Sequence, residues 1–282
     1  MAHPSAASGR GPARADGSGS PVAARGARLA GAAAALLGAL LPLSPAFAGE
    51  PQRLAVAAAI NVKPALDEAV RAFEAATPGV RVEVAYGASG SFFAQIADGA
   101  PYDLFLSADR DYPRAVVAAG LAAGGERVYA IGALVVWLPP GSSIDLAGRG
   151  LAALAAPGVR HVAIGNPAVA PYGRAAAAAL RAAGVEEALR TRLVLGESVG
   201  QAAQFALAGA ADAALLPAAL ALEPALAAGR VWPVPPGLYP PIEQAAVVLA
   251  GARAPGLARA LLAFLGGAEG RRILARHGYA LP

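Results

Sequence analysis

The 282-residue sequence contains no cysteine. That excludes disulfides, thiolate metal sites, a cysteine nucleophile and a lipid-bearing cysteine at an export site. Histidine is almost as scarce, with His3, His161 and His277 the full complement of three. His161 opens a strand-like run. His277 closes the last helical stretch, where the helix dipole favours a cation. Metal-binding or nucleotide-binding motifs such as HExxH, Walker A and GxGxxG are missing at the required spacing. Gly87-Ala88-Ser89-Gly90 lacks the spacing of a nucleophile elbow. Asp103 and Asp109 bracket one strand, but Asp109 reads as the cap of the next helix. No enzyme and no cofactor are expected from such an inventory.

Charge is also sparse. Charged residues make up 15% of the chain, against 56% hydrophobic ones, and Lys63 is the sole lysine. The formal net charge is +4, and Arg10, Arg14, Arg25 and Arg28 against Asp16 account for most of it. The remaining chain is close to neutral, which argues against nucleic acid as a partner.

What is present begins with an export signature. Arg25 and Arg28 precede an apolar run from Leu29 to Leu41, and Ala46-Phe47-Ala48 places small residues where a signal peptidase reads. Residues 1–48 are read as a removed signal peptide and the protein as periplasmic. The other reading of this stretch is an N-terminal anchor helix, for which the run is short.

From Arg53 onward strand-like and helix-like segments alternate. Arg53 to Ala59 is an apolar run, and Leu66, Ala69, Val70 and Phe73 follow with helical spacing. The alternation continues to the end and predicts an α/β protein with parallel sheet and helices on both faces. Two long apolar stretches, 128–138 and 242–250, are the natural crossovers between two lobes. The expected division is 49–131 plus 242–282 for the first lobe and 132–241 for the second.

Four polar breaks fall at strand ends just before helices. Ile60-Asn61 ends the first strand. Tyr86-Gly87-Ala88-Ser89 precedes the second helix, Asn166-Pro167 to Pro171-Tyr172 precedes an Ala-rich helix, and Gly196-Glu197-Ser198-Val199 precedes the helix carrying Gln201. Asn and Ser are common N-cap residues, so any one break is explained by a capped helix. Taken together they suggest more. Ligands of open α/β sheets sit beyond the carboxyl ends of the strands. Helix N-termini there supply free N–H groups and partial positive charge to an anion.

These segments resemble the periplasmic molybdate-binding proteins of ABC importers. The resemblance rests on Ala57-Ala-Ala-Ile-Asn61, Tyr86-Gly-Ala-Ser-Gly90, Gln95-Ile-Ala-Asp-Gly-Ala-Pro-Tyr-Asp-Leu-Phe-Leu-Ser-Ala-Asp109, Gly165 to Gly173, Gly196-Glu-Ser-Val199 and the ending at His277-Gly-Tyr-Ala-Leu. It implies a two-lobe, type-II binding-protein fold that closes on molybdate or tungstate in the interlobe cleft. It implies Ile60, Asn61, Ser89, Tyr172 and Val199 as ligand contacts, with Asn61 in the place of a family Ser. Those contacts go to the oxyanion through neutral hydrogen bonds, without direct ligation of the metal. The family's usual pocket Tyr is replaced by Pro217. The implied partners are a membrane permease and its ATPase, served by a monomer. The runner-up ligand is another tetrahedral oxyanion such as sulfate or phosphate. A ligand-sensing regulator domain is a third reading.

Overall fold

A computed structural model describes residues 50–282, so the expected signal peptide over 1–48 lies outside the described residues. The first strand, β1 (Gln52–Ala59), leads into α1 (Lys63–Ala76), and β2 (Val80–Gly87) into α2 (Ser89–Ala97). Then come β3 (Leu104–Leu106), α3 (Asp111–Ala118) and β4 (Arg127–Gly132). A second set follows: β5 (Leu134–Leu138), α4 (Leu146–Arg149), β6 (Val162–Gly165), α5 (Pro171–Ala182), α6 (Glu186–Leu189), β7 (Leu193–Gly196), α7 (Val199–Leu207), β8 (Ala213–Pro217), α8 (Ala218–Ala221) and β9 (Arg230–Pro233). The chain ends with β10 (Ile242–Val248), α9 (Pro255–Gly266) and α10 (Ala268–Arg276).

The strands form two five-stranded sheets, ordered β2-β1-β3-β10-β4 and β7-β6-β8-β5-β9. Though the sequence shows no internal repeat, the two orders are the same pattern. Each sheet is mixed, where a parallel sheet was expected: β10 runs antiparallel to β3 and β4, and β5 antiparallel to β8 and β9. The reason lies in how those two strands arrive. The other strands of each sheet point their carboxyl ends at the cleft. A strand entering from the opposite lobe starts at the cleft and must run away from it. The apolar stretch 128–138, read as one segment, is accordingly two strands in two sheets with Ala133 between them.

Burial follows the side-chain periodicity. In β1, Leu54, Val56 and Ala58 enter the core under α1, α9 and α10, while Ala57 points to the opposite face with Phe92 and Phe105. A strand covered on both faces needs the continuous apolar run that the sequence has. Helix α1 buries Ala65, Leu66, Ala69, Val70 and Phe73, its apolar stripe, and carries Pro64 in its first turn, where a missing N–H costs nothing. In the second lobe Leu134, Val136, Ile164 and Leu215 pack on Ala176, Ala179 and Leu180 of α5. The other face packs Val135, Trp137 and Leu216 on Ala202, Ala203 and Ala206 of α7.

One buried carboxylate fastens the first lobe. Asp103 is 3% exposed. Its Oδ2 accepts from the Ala55 N–H at 2.8 Å, and its Oδ1 from the Arg253 and Ala254 N–H groups at 2.6 and 2.9 Å. It joins β1 to the segment that opens α9. Asp103→Asn presents an NH2 group to one of these donors. The expected loss is roughly 1.5–3 kcal/mol, the scale of hydrogen bonds to a charged group. Urea unfolding checks it through a lower midpoint at unchanged slope.

Candidate functional site

The carboxyl ends of β1, β2, β6 and β7 meet across the cleft between the lobes. Behind each lies a helix start. Helix α2 begins after Ala88, α5 after Ala170 and α1 after Val62, and none of these three N-termini has a side-chain cap. Only α7 is capped, by Ser198, whose Oγ accepts from the Gln201 N–H at 3.3 Å. The capped-helix explanation of the four polar breaks therefore holds at one of them. The first N–H groups of a helix have no partner within it. Among the described residues the N–H groups of Ser89, Tyr172 and Val199 meet no acceptor.

These groups surround a small cavity lined by Ile60, Asn61, Ser89, Tyr172, Ser198 and Val199, with Gly87, Ala108 and Pro171 closing the walls. Its cavity volume is small, about 10 Å³, close to what one water molecule needs and far below the roughly 300–1,000 Å³ of sites for drug-sized molecules. All five residues singled out from the sequence, Ile60, Asn61, Ser89, Tyr172 and Val199, are brought together here. Pro217 ends β8 opposite Leu134 and does not line the cavity.

The individual donors differ in kind. Ser89 is fully buried, and its Oγ accepts from the Ala108 N–H at 3.0 Å, which leaves the hydroxyl proton to point into the cavity. Tyr172 offers its backbone N–H, because its hydroxyl accepts from Gln244 Nε2 at 3.1 Å behind the cavity wall. Asn61 was expected as a side-chain donor in place of Ser. Its amide nitrogen instead donates to Gln244 Oε1 at 2.8 Å and to the Tyr279 hydroxyl at 3.1 Å, using both of its protons. That leaves its backbone N–H, at the start of the 3-10 turn Ile60–Val62, on the cavity side.

No Arg, Lys, His, Asp or Glu lines the cavity. The basic residues nearby are already engaged: Lys63 pairs with Asp67 at 2.6 Å and lies over the Tyr86 ring, and the Arg174 guanidinium lies on Asp109. His161 immediately precedes β6 at the end remote from the cleft, where its N–H donates to Asp212. His277 follows the last residue of α10, with Nε2 2.8 Å from Glu68. That contact, with Arg276 beside it, holds the Glu68 carboxyl below the usual carboxylate range. The cavity is therefore lined by neutral donors at helix starts, suited to a small anion. It holds no base positioned to activate the Ser89 hydroxyl.

The family described as bacterial extracellular solute-binding protein matches residues 54–280. The molybdate-binding protein ModA of Rhodobacter capsulatus is 38% identical over 236 residues, spanning 83% of this chain and 90% of that one. The solved periplasmic molybdate-binding protein of Azotobacter vinelandii has a TM-score of 0.75 and 36% identity, covering 81% of this chain and 99% of that one. The chain belongs to the ModA family of bacterial extracellular solute-binding proteins. The sulfate-binding protein SubI from Mycobacterium tuberculosis shares the fold, with a TM-score of 0.70 at 20% identity.

In this ModA-family chain a second set of polar residues supports the donors and was not found from the sequence. Gln244 on β10 is fully buried, and so are the hydroxyls of Tyr129 and Tyr279 that flank it. Gln244 Oε1 accepts from Asn61 and lies 3.0 Å from the Tyr129 hydroxyl, while its Nε2 reaches Tyr172 in the other lobe. The Tyr279 hydroxyl donates to the Asn61 carbonyl at 2.7 Å. Burial pushes the phenols of Tyr129, Tyr172 and Tyr279 up, so the network stays neutral. Gln244 sits where the β10–β4 register shifts, an irregularity that re-aims a side chain.

Gly132, at the end of β4, makes room for this network. A Cβ there would lie 1.8 Å from the Tyr172 hydroxyl oxygen and 2.8 Å from Gln244 Nε2. Gly132→Ala is expected to destabilise the protein by about 1–3 kcal/mol through overpacking. Tyr172→Phe, which removes the nearest clashing atom, is expected to recover part of that loss in the double variant. Thermal unfolding of the two single variants and the double variant checks the coupling.

Proposed function

We propose that this protein captures molybdate or tungstate in the interlobe cleft and delivers it to the membrane permease of an ABC importer, which its ATPase drives. The observation that carries this reading is the cavity itself: neutral hydrogen-bond donors at uncapped helix starts, with no formal countercharge. Membership of the ModA family supports the choice of anion. On this reading the protein works as a monomer in the periplasm, and the chain is cleaved before Gly49. N-terminal sequencing of exported protein checks the cleavage, and a start before Leu41 contradicts it.

The donor set also accounts for selectivity. Fixed N–H and O–H donors stabilise a fully deprotonated dianion. A protonated phosphate leaves its own O–H without an acceptor in such a site. Sulfate has the same charge and shape as molybdate, so its exclusion depends on size: donors set by lobe closure for the larger anion sit too far from sulfate's oxygens. Donor distances fixed by closure make this a graded discrimination.

Ser89→Ala removes one donor to a buried dianion, a contribution of roughly 1.5–3 kcal/mol. The expected loss in molybdate affinity is on the order of ten- to a hundredfold. His161→Ala, at the far end of β6, leaves affinity unchanged. Calorimetry of the mature protein against molybdate, tungstate, sulfate and phosphate, repeated on Ser89→Ala, is the test. Sulfate binding as tight as molybdate replaces the reading with a general oxyanion binder.

A further inference from the structure

We infer that Asp109, Tyr112 and Arg174 form an ionic clasp across the mouth of the cleft, which holds the lobes closed and retains the ligand without touching it. This inference rests on the proposed capture of a molybdate-type anion between the lobes, and it concerns residues outside the cavity lining.

The geometry divides the clasp between the lobes. Asp109 belongs to the first lobe, in the segment between β3 and α3. Its Oδ1 is held from its own side, accepting from the Ser107 hydroxyl at 2.8 Å and from the Tyr112 N–H at 3.3 Å. Its Oδ2 is thereby turned across the cleft and takes the Arg174 guanidinium, which stands on the first turn of α5 in the second lobe. Tyr112 reaches over as well. Its hydroxyl donates to the Ala168 carbonyl at 3.2 Å and accepts from Arg174 Nη1 at 3.3 Å, and the guanidinium carbon lies 5.2 Å from the centre of its ring. One backbone bond completes the contact, from the Gly90 N–H to the Val169 carbonyl at 2.9 Å. Gly90 permits it, since a Cβ there would lie 2.8 Å from the Val169 Cα and 2.5 Å from the Tyr112 hydroxyl.

Chain adjacency ties the clasp to the pocket. Asp109 follows Ala108, whose N–H sets the Ser89 hydroxyl. Arg174 lies two residues beyond Tyr172, whose backbone N–H faces the cavity. When the clasp forms, the donors of both lobes are therefore brought to their distances. The two functions use opposite electrostatics. The pocket has no formal countercharge, so salt acts on it only through the anion and the helix dipoles. The clasp is an ion pair beside a groove lined by Asp111, Pro171, Pro240 and Ile242 that opens to solvent, so salt reaches it. The Asp109 side chain is 13% exposed and that of Arg174 37%. Burial raises the Asp109 carboxyl above its usual range, and Arg174 and the Ser107 hydroxyl oppose that shift.

A group that favours only the closed state raises apparent affinity by the fraction closed. Breaking the clasp should therefore act on ligand release. The test is stopped-flow and calorimetric titration with sodium molybdate, at low and high ionic strength, on the mature parent and on Arg174→Gln, Arg174→Lys, Asp109→Asn and the Arg174→Gln/Asp109→Asn double variant. Arg174→Gln is expected to weaken binding on the order of tenfold, mostly through faster dissociation. The Lys variant should keep part of the effect, and the double variant should fall no further than the single ones. The parent's affinity should fall more steeply with salt than that of Arg174→Gln. Parent-like dissociation in Arg174→Gln, or an equal salt dependence in both, overturns the clasp. Small-angle scattering of the ligand-free proteins at low salt needs no ligand. Arg174→Gln should be more expanded than the parent, and identical radii overturn the clasp. A parent protein that ignores molybdate while these radii differ contradicts the transport reading and leaves the clasp standing.

Discussion

Backbone N–H groups at the starts of helices cannot be satisfied within the helix, and this constraint organises the molecule. Buried polar groups left without partners are costly. A fold that collects several of them at one point must supply an acceptor there, or leave the point open to water. In this protein the N-termini of α2, α5 and α7 and the 3-10 turn after β1 converge where two sheets present their carboxyl ends. Three of the four helix starts carry no side-chain cap. The two lobes meet at that point, so a ligand bound there is in reach of donors from both. An anion with four oxygens answers several donors at once, and the alternation of strand and helix that builds the lobes also builds the site.

Neutral donors hold an anion only if their geometry is rigid, and the buried network behind the cavity supplies the rigidity. Gln244 links Asn61 of one lobe to Tyr172 of the other at the strand that crosses between them. Gly132 on the neighbouring crossover strand leaves the space. A neutral network of amide and phenol groups adds no charge that would compete with the ligand, and its members are satisfied by one another. Charge enters only at the rim, in the pair between Asp109 and Arg174. The protein thus separates recognition, which is uncharged, from closure, which is ionic and open to solvent on one side.

Much of this was legible in the sequence, for a physical reason. Strand ends and helix starts are local features. The breaks at Ile60-Asn61, Ser89, Tyr172 and Val199 could each be placed from a few neighbouring residues, and all lie at the cavity. The partners of those residues were not legible. Gln244 and Tyr279 meet Asn61 across 183 and 218 residues of chain, and nothing local announces either contact. Asp109 read as a helix cap, which its bond to the Tyr112 N–H partly supports, but its second oxygen reaches Arg174 65 residues away. Asp103, in the longest matching string, serves the fold and lies outside the cavity lining. The antiparallel strands were missed because strand direction depends on where the chain enters a lobe, and the composition of β5 and β10 is that of any buried strand.

The central claim is that an anion is held in the cleft by neutral donors alone. The most direct measurement is a crystal structure of the mature protein with tungstate, located by its anomalous scattering. The account predicts the metal between the starts of α2, α5 and α7, its oxygens bonded to the N–H groups of Ser89, Tyr172 and Val199 and to the Ser89 hydroxyl, with Arg174 still on Asp109. An arginine or lysine side chain bonded to the anion, or the anion bound elsewhere, contradicts it.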